Sequence, residues 1–352
     1  MMAKKTLVLG DSEAIMKKEG LGESVAQWED GQRCDTGPGF FEWWYFDAHL
    51  DDGSTAVVVF STKPFTERTG PAKPGVRLVI NTPDGRELGG YPMFGSAQFS
   101  AVRSQCDVKI SHNWVRGDLH RYELHAEFGE LAADLVFTGT VPAWRPGAGI
   151  TYYDEALTLF FGWLSAIPYG KVEGTLTYDG KEHKVSGSGY HDHNWGNIGL
   201  EEVMSHWYWG RAHVGGYTLI FVEMTSTREY GSQKIPVFLL ARHDKILTGD
   251  GAPLVLEVRE FEKHTGGRQF PNKVDFDWKS ADGEVHIALR RPQMIEASSL
   301  LGYLPPWKQR LARLFANPYY FRFNAELKLR VVLAGEKCNE KGTALFEIMM
   351  LR

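Results

Sequence analysis

Apolar and polar residues alternate with period two along most of this chain. Ala48-His49-Leu50 leads through Asp51-Asp52-Gly53 into the apolar run 55–60, the pattern of a β-hairpin closed by an Asp-Gly turn. Residues 76–80 form another such run, ahead of the turn signal Asn81-Thr82-Pro83-Asp84-Gly85. Runs at 122–128, 135–141 and 172–178 follow, the last ending in Asp179-Gly180. The second half continues with 273–278, the turn Ala281-Asp282-Gly283, 285–289 and 325–333. Short alternating strands joined by Asp-Gly turns over this length predict a mainly β protein of antiparallel barrel or sandwich domains with few short helices.

Two segments depart from the alternation. Residues 10–28 read as a polar, weakly helical lead-in. Near 306–316, between Pro305-Pro306 and Pro318, Trp307, Leu311, Leu314 and Phe315 recur at the spacing of an amphipathic helix, with Lys308, Arg310 and Arg313 elsewhere on the wheel. One reading is a helix capping a β domain; a sharper one is a peripheral contact with a membrane surface.

One motif occurs twice. Trp43-Trp44-Tyr45-Phe46-Asp47-Ala48-His49-Leu50 parallels Trp207-Tyr208-Trp209-Gly210-Arg211-Ala212-His213-Val214, and each copy runs through a turn into an apolar strand. The repeat predicts two similar β domains, divided near 185–200 and taken as 1–190 and 191–352. A length of 352 residues suits two domains of ordinary size. Thirty-nine basic against 44 acidic residues leave a net charge of −5, without the basic surplus of a nucleic-acid binder. Three scattered cysteines, Cys34, Cys106 and Cys338, lack the spacing of a disulfide scaffold or zinc ribbon. The apolar run Leu7-Val8-Leu9 is too short for a signal peptide, so a cytoplasmic location is expected. Eleven tryptophans, 14 tyrosines and 20 phenylalanines point to an aromatic-lined surface or cavity beyond what core filling needs.

The densest chemistry lies in Gly187-Ser188-Gly189-Tyr190-His191-Asp192-His193-Asn194-Trp195-Gly196. On an extended strand Tyr190, Asp192 and Asn194 share one face, and His191, His193 and Trp195 the other. Three readings fit: a His-x-His metal site, for which no complete ligand set is visible; a structural turn with Trp195 as a plug; or acid–base groups beside an aromatic cavity, where desolvation shifts the pKa of a carboxyl or imidazole. A second cluster is Glu42-Trp43-Trp44-Tyr45-Phe46-Asp47, either an ordinary aromatic strand or a pocket wall whose indoles face a polyene or a cation. A third is Trp207-Tyr208-Trp209-Gly210-Arg211 with Glu223, the lone charge in an apolar strand and either solvent-facing or a desolvated proton donor. Dinucleotide, P-loop and nucleophile-elbow signatures are absent.

The first and second clusters resemble the two signatures of the AttH-like and carotenoid hydratase (hydroxyneurosporene synthase) superfamily, and the third is similar to its relatives, the lipocalin-like Diels–Alderases and kievitone hydratase. The resemblance covers roughly residues 38–225. It implies two lipocalin-like β domains with a hydrophobic ligand site near their junction and no metal or other cofactor. It also implies action on an unsaturated, terpenoid- or polyketide-like small molecule. The expected chemistry is hydration or dehydration of a C=C bond, with Asp192 or Glu223 as proton donor and His193 with Tyr190 activating water. Glu42, Trp43, Trp44, His191, Trp195, Trp207, Trp209 and Arg211 are the expected substrate-binding residues. A cyclase of the same fold and a non-catalytic carrier of a hydrophobic ligand are the alternatives.

Overall fold

A computed structural model describes residues 5–64, 67–299 and 318–352. The expected helix near 306–316 lies outside the described residues. Contacts divide the chain into two compact units, Leu7–Gly199 and a second one made of Leu200–Arg352 with Met1–Thr6. The expected division after residue 190 falls inside a continuous strand, Lys181–Gly196, which belongs wholly to the first unit. The edge of that strand is hydrogen-bonded into the first unit's sheet through Gly196, so the chain leaves the unit only afterwards.

The N-terminal unit holds β1 (Val8–Leu9), β2 (Phe41–Leu50), β3 (Thr55–Ser61), β4 (Gly75–Asn81), β5 (Glu87–Gly90), β6 (Phe99–Ala101), β7 (Cys106–Ile110), β8 (Asn113–Gly117), β9 (Arg121–Phe128), β10 (Leu131–Gly139), β11 (Ile150–Tyr152), β12 (Phe160–Tyr178) and β13 (Lys181–Gly196). Its sheet runs β5-β4-β3-β2-β13-β12-β10-β9-β8-β7-β6, with β11 on β12 and β1 on β11. The C-terminal unit holds β14 (Met204–Val214), β15 (Tyr217–Ser226), β16 (Lys234–Arg242), β17 (Lys245–Thr248), β18 (Leu254–Lys263), β19 (Gln269–Ser280), β20 (Gly283–Ser299), β21 (Tyr319–Leu333) and β22 (Glu336–Met350), ordered β17-β16-β15-β14-β22-β21-β20-β19-β18. In both units an antiparallel meander returns so that its last strand pairs with its first long strand. Each sheet thereby curls into a half-barrel.

The alternation read from the sequence is what curls these sheets around a core. Along β21, Tyr319, Phe321, Phe323, Ala325, Leu327, Leu329, Val331 and Leu333 are buried, while Asn324, Glu326, Lys328 and Arg330 point outward. The two copies of the aromatic motif occupy the same topological place: β2 and β14 each open a hairpin and each pair with the final strand of their sheet. The β12–β13 hairpin turns at Asp179-Gly180, both at positive φ (53° and 68°), the geometry of a two-residue turn that matches strand twist. At Gly189 the sheet bends so closely that a Cβ would lie 2.5 Å from Phe137 and Val172. Glycine at this point leaves room for those two side chains, from β10 and β12, against the backbone of β13.

The lead-in is more than a peripheral tail. Helix α1 (Glu13–Lys18), capped by the Ser12 hydroxyl, buries Ile15, and a 3-10 turn over Gln27–Asp30 buries both Glu29 and Asp30. Arg145 meets Glu29 at 2.5 Å with both side chains almost fully covered, and it also donates to the Gly22 carbonyl. A buried ion pair of this kind ties the lead-in to the segment that follows β10.

Candidate functional site

Strand β13 sends its chemistry to two sides. On the core side, His191 and His193 have no exposed surface and meet two carboxylates, Asp30 from the lead-in and Glu42 from β2. His191 places Nε2 3.1 Å from Asp30 Oδ2 and Nδ1 2.9 Å from the Tyr45 carbonyl, with its ring stacked on Phe46. His193 stacks on Trp44, with Nε2 2.8 Å from Glu42 Oε1 and Nδ1 3.3 Å from Asp30 Oδ1. The Tyr122 hydroxyl donates to Asp30 at 2.6 Å, and the backbone N–H groups of Arg33 and Cys34 donate to Glu42. Burial would raise the Asp30 carboxyl, yet the charge and hydrogen bonds of His191 and His193 outweigh it and hold that carboxyl well below its ordinary value. Burial would likewise depress His193, but Asp30 and Glu42 outweigh it and keep the imidazole protonated to higher pH than usual. Burial pushes the Cys106 and Tyr122 protons on more tightly.

Asp30, Cys106 and His191 bring three donor atoms of metal-binding type within 4.8 Å of one another, the candidate grouping among the described residues. Asp30 Oδ2 and His191 Nε2 already bond each other, and burial keeps Cys106 a thiol. The cluster as it stands is a hydrogen-bonded acid–imidazole network. Beside it the Arg33 guanidinium lies between the Trp28 and Trp195 rings, 4.7 and 4.8 Å from their centroids.

The opposite side of β13 differs. Here Asp192 Oδ2 accepts from the Trp163 indole N–H at 3.0 Å and from the Tyr190 hydroxyl at 2.9 Å, while Oδ1 accepts from the Asn194 amide at 2.8 Å. Burial raises the Asp192 carboxyl above its ordinary range despite these three donors. Cross-strand register puts Tyr45 opposite Asp192, Trp43 opposite Asn194 and Asp47 opposite Tyr190. Trp43 and Phe161 pack at 6.2 Å, Trp144 and Trp163 edge-to-face at 5.9 Å, and Tyr45 and Tyr190 edge-to-face at 6.4 Å. A carboxyl with raised proton affinity is thus set among aromatic rings, the environment that suits a general acid.

The Svf1 family matches residues 92–351 of this sequence. The chain belongs to the Svf1 family. Among its relatives, the quinolone epoxide rearrangement protein penF of Penicillium thymicola is 27% identical over 244 residues, covering 62% of this chain and 64% of the relative. The ceramide-binding protein SVF1 of Yarrowia lipolytica is 24% identical over 238 residues, covering 62% and 60%. This chain therefore spans less than two thirds of either relative. A putative AttH from Nitrosomonas europaea shares the fold at 15% identity, with a TM-score of 0.60 over 93% of this chain and 97% of that one. Kievitone hydratase from Nectria haematococca shares it at 14% identity, with a TM-score of 0.58 over 99% and 97%. The resemblance read from the motifs and the two-sheet β architecture are both borne out.

In this Svf1-family chain the expected site residues separate. Tyr190, itself 1% exposed, shares the aromatic face with Asp192 and Trp43, whereas His191, His193, Glu42, Trp44 and Trp195 lie on the other side of the sheet, in the core network. His193 cannot activate water beside Asp192, because consecutive strand residues point to opposite sides and both its ring nitrogens face carboxylates. The other four, His191, Glu42, Trp44 and Trp195, meet Asp30 or Arg33 rather than an open pocket. The lead-in fills the space they face. Glu223, Trp207, Trp209 and Arg211 belong to the other unit. There Glu223 faces the half-barrel core across from Tyr208 rather than solvent, and it forms an ion pair with Lys234 at 2.9 Å, so the inward reading finds its carboxylate already partnered. Trp207 and Trp209 alternate with the core-facing Tyr208, so they lie on the outward face of β14, as Trp43 and Tyr45 do on β2. Sequence reasoning set Asn194 on the Asp192 face but missed Asp30 and Trp163 as partners, and it missed a spacing that was visible: Tyr-x-Asp occurs at Tyr45-Phe46-Asp47 and again at Tyr190-His191-Asp192.

Proposed function

We propose that this chain is an enzyme that protonates an unsaturated or strained hydrophobic small molecule on the outward face of β2, β12 and β13, with Asp192 as the acid and water addition across a C=C bond as the outcome. The observation carrying this reading is the Asp192 carboxyl itself, raised by burial, held by Trp163, Tyr190 and Asn194, and bordered by Trp43, Tyr45 and Phe161. An alkene carbon is a feeble base, so its protonation needs an acid that holds its proton near neutral pH and a surrounding that does not trap the cation prematurely. Aromatic faces supply the second requirement through their negative quadrupole. An Asn amide accepts as readily as it donates once turned over, so Asn194 partners either protonation state of Asp192. The same acid would open an epoxide ring, which connects this reading to the relative named for epoxide rearrangement.

Asp192→Asn removes the transferable proton while keeping shape and hydrogen bonds. We expect turnover of a hydrated product, detected as a gain of about 18 Da (one water) after incubation with an isoprenoid and polyene extract, to fall by about 10²–10⁴-fold with ligand binding retained. Full activity in that variant would remove Asp192 from the chemistry. A second reading, a carrier without chemistry, is favoured by the ceramide-binding relative. Under it the ligand is recovered unchanged from wild type and variant alike.

A further inference from the structure

Each of the two Tyr-x-Asp segments ties its aspartate to its own tyrosine. The Tyr45 hydroxyl donates to Asp47 Oδ2 at 3.1 Å, and the Tyr190 hydroxyl donates to Asp192 Oδ2 at 2.9 Å. Because β2 and β13 run antiparallel, the two pairs cross: Tyr45 stands opposite Asp192 and Tyr190 opposite Asp47, all four on one face. The aspartates are therefore diagonal neighbours, with a backbone separation of roughly 7–8 Å. Two carboxyls on one face of a sheet, each held by a tyrosine hydroxyl, match the pairing by which hydrolases divide acid and base work between two carboxyl groups. Asp47 is 2% exposed, and its carboxylate is held on this face by the Tyr45 hydroxyl.

Resting on the acid reading of Asp192, we propose that Asp47 is the second catalytic carboxylate of this face, the general base that takes a proton from the attacking water. Asp192 gives its proton to one alkene carbon, and the π pair forms the new C–H bond. Water then bonds to the cationic carbon and loses its proton to Asp47, leaving an alcohol. Asp47 afterwards releases that proton to solvent and Asp192 regains one, so the sum is alkene plus water. This division of labour gives Asp47 the role expected of His193, which the strand sends into the core.

The test uses the full chain with geranylgeraniol in deuterated buffer, read by mass spectrometry for deuterium at alkene carbons and for the water adduct. Wild type should show both. Asp192→Asn should lose both. Asp47→Asn should retain deuterium uptake within about threefold, because the cation returns its proton to Asp192, while the water adduct falls by about 10²-fold or more. Tyr45→Phe keeps the ring and leaves Asp47 in place, so it covers the case in which Asp47→Asn does not fold; it should slow water addition about tenfold and spare deuterium uptake. Wild-type hydration in both the Asp47 and Tyr45 variants overturns the proposal, as does parallel loss of exchange and hydration in folded variants. Unchanged exchange in Asp192→Asn, or a wild-type protein that neither labels nor hydrates the probe, overturns instead the acid reading beneath it.

Discussion

Replacing Asp30 with Asn tests whether the core network is held by charge. The carboxylate is 1% exposed and is approached by three groups: the Tyr122 hydroxyl at 2.6 Å, His191 Nε2 at 3.1 Å and His193 Nδ1 at 3.3 Å. Asparagine keeps the volume and removes the negative charge. A hydrogen bond to a charged group contributes about 1.5–3 kcal/mol and a neutral one about 0.5–1.5, so two weakened hydrogen bonds, with the ion contact to His193 weakened by a comparable amount, should cost roughly 3–4.5 kcal/mol. Removing one member of a buried charge pair costs about 3–5 kcal/mol when estimated separately. The two routes agree. For a unit of this size that is a fall of roughly 6–20 °C in Tm. Urea unfolding followed by tryptophan fluorescence is a suitable assay, since the Trp44 indole donates to the Asp30 carbonyl and is fully buried. We expect the midpoint to drop with the m-value unchanged. A cost below about 1 kcal/mol would refute the claim that charge, rather than shape, holds the lead-in inside the half-barrel.

The same network makes stability depend on pH. Asp30 titrates lower when folded, so its contribution is present above its ordinary value of 3.8 and lost as pH falls through the depressed one; His193 titrates higher when folded, so its contribution is full below 6.5 and lost as pH rises through the elevated one. Melting curves of the N-terminal unit should therefore peak between about pH 4 and 6.5 and decline toward pH 9, and a Tm that climbs over pH 6.5–9 would contradict the pairing. Gly189→Ala puts a methyl 2.5 Å from Phe137 and Val172 and 2.8 Å from the Asp47 carbonyl. It should cost about 1–3 kcal/mol by overpacking, measured by denaturant unfolding, and a cost under about 0.5 kcal/mol would mean that the Phe137 and Val172 side chains give way beneath β13.

Period-two alternation and Asp-Gly turns reveal the β architecture because side-chain direction on a strand depends only on position parity. The duplicated aromatic motif marked the two equivalent strands β2 and β14, and the Gly187-to-Gly196 segment marked the strand where the chemistry gathers. Parity even divides that segment into an Asp192 face and a His193 face. It does not say which face lines the half-barrel core, and here it is the histidines that do, although Tyr190 and Asn194 on the other face are also covered. That was decided by the lead-in, a polar stretch with weak periodicity whose Glu29 meets Arg145, 116 residues on, and whose Asp30 meets Tyr122 and His191, 92 and 161 residues on. Trp163 likewise reaches Asp192 only through the register of β12 on β13. Local pattern tells which way a side chain leaves the backbone; what it meets depends on strand pairings that close long loops, and no short window of sequence contains both partners.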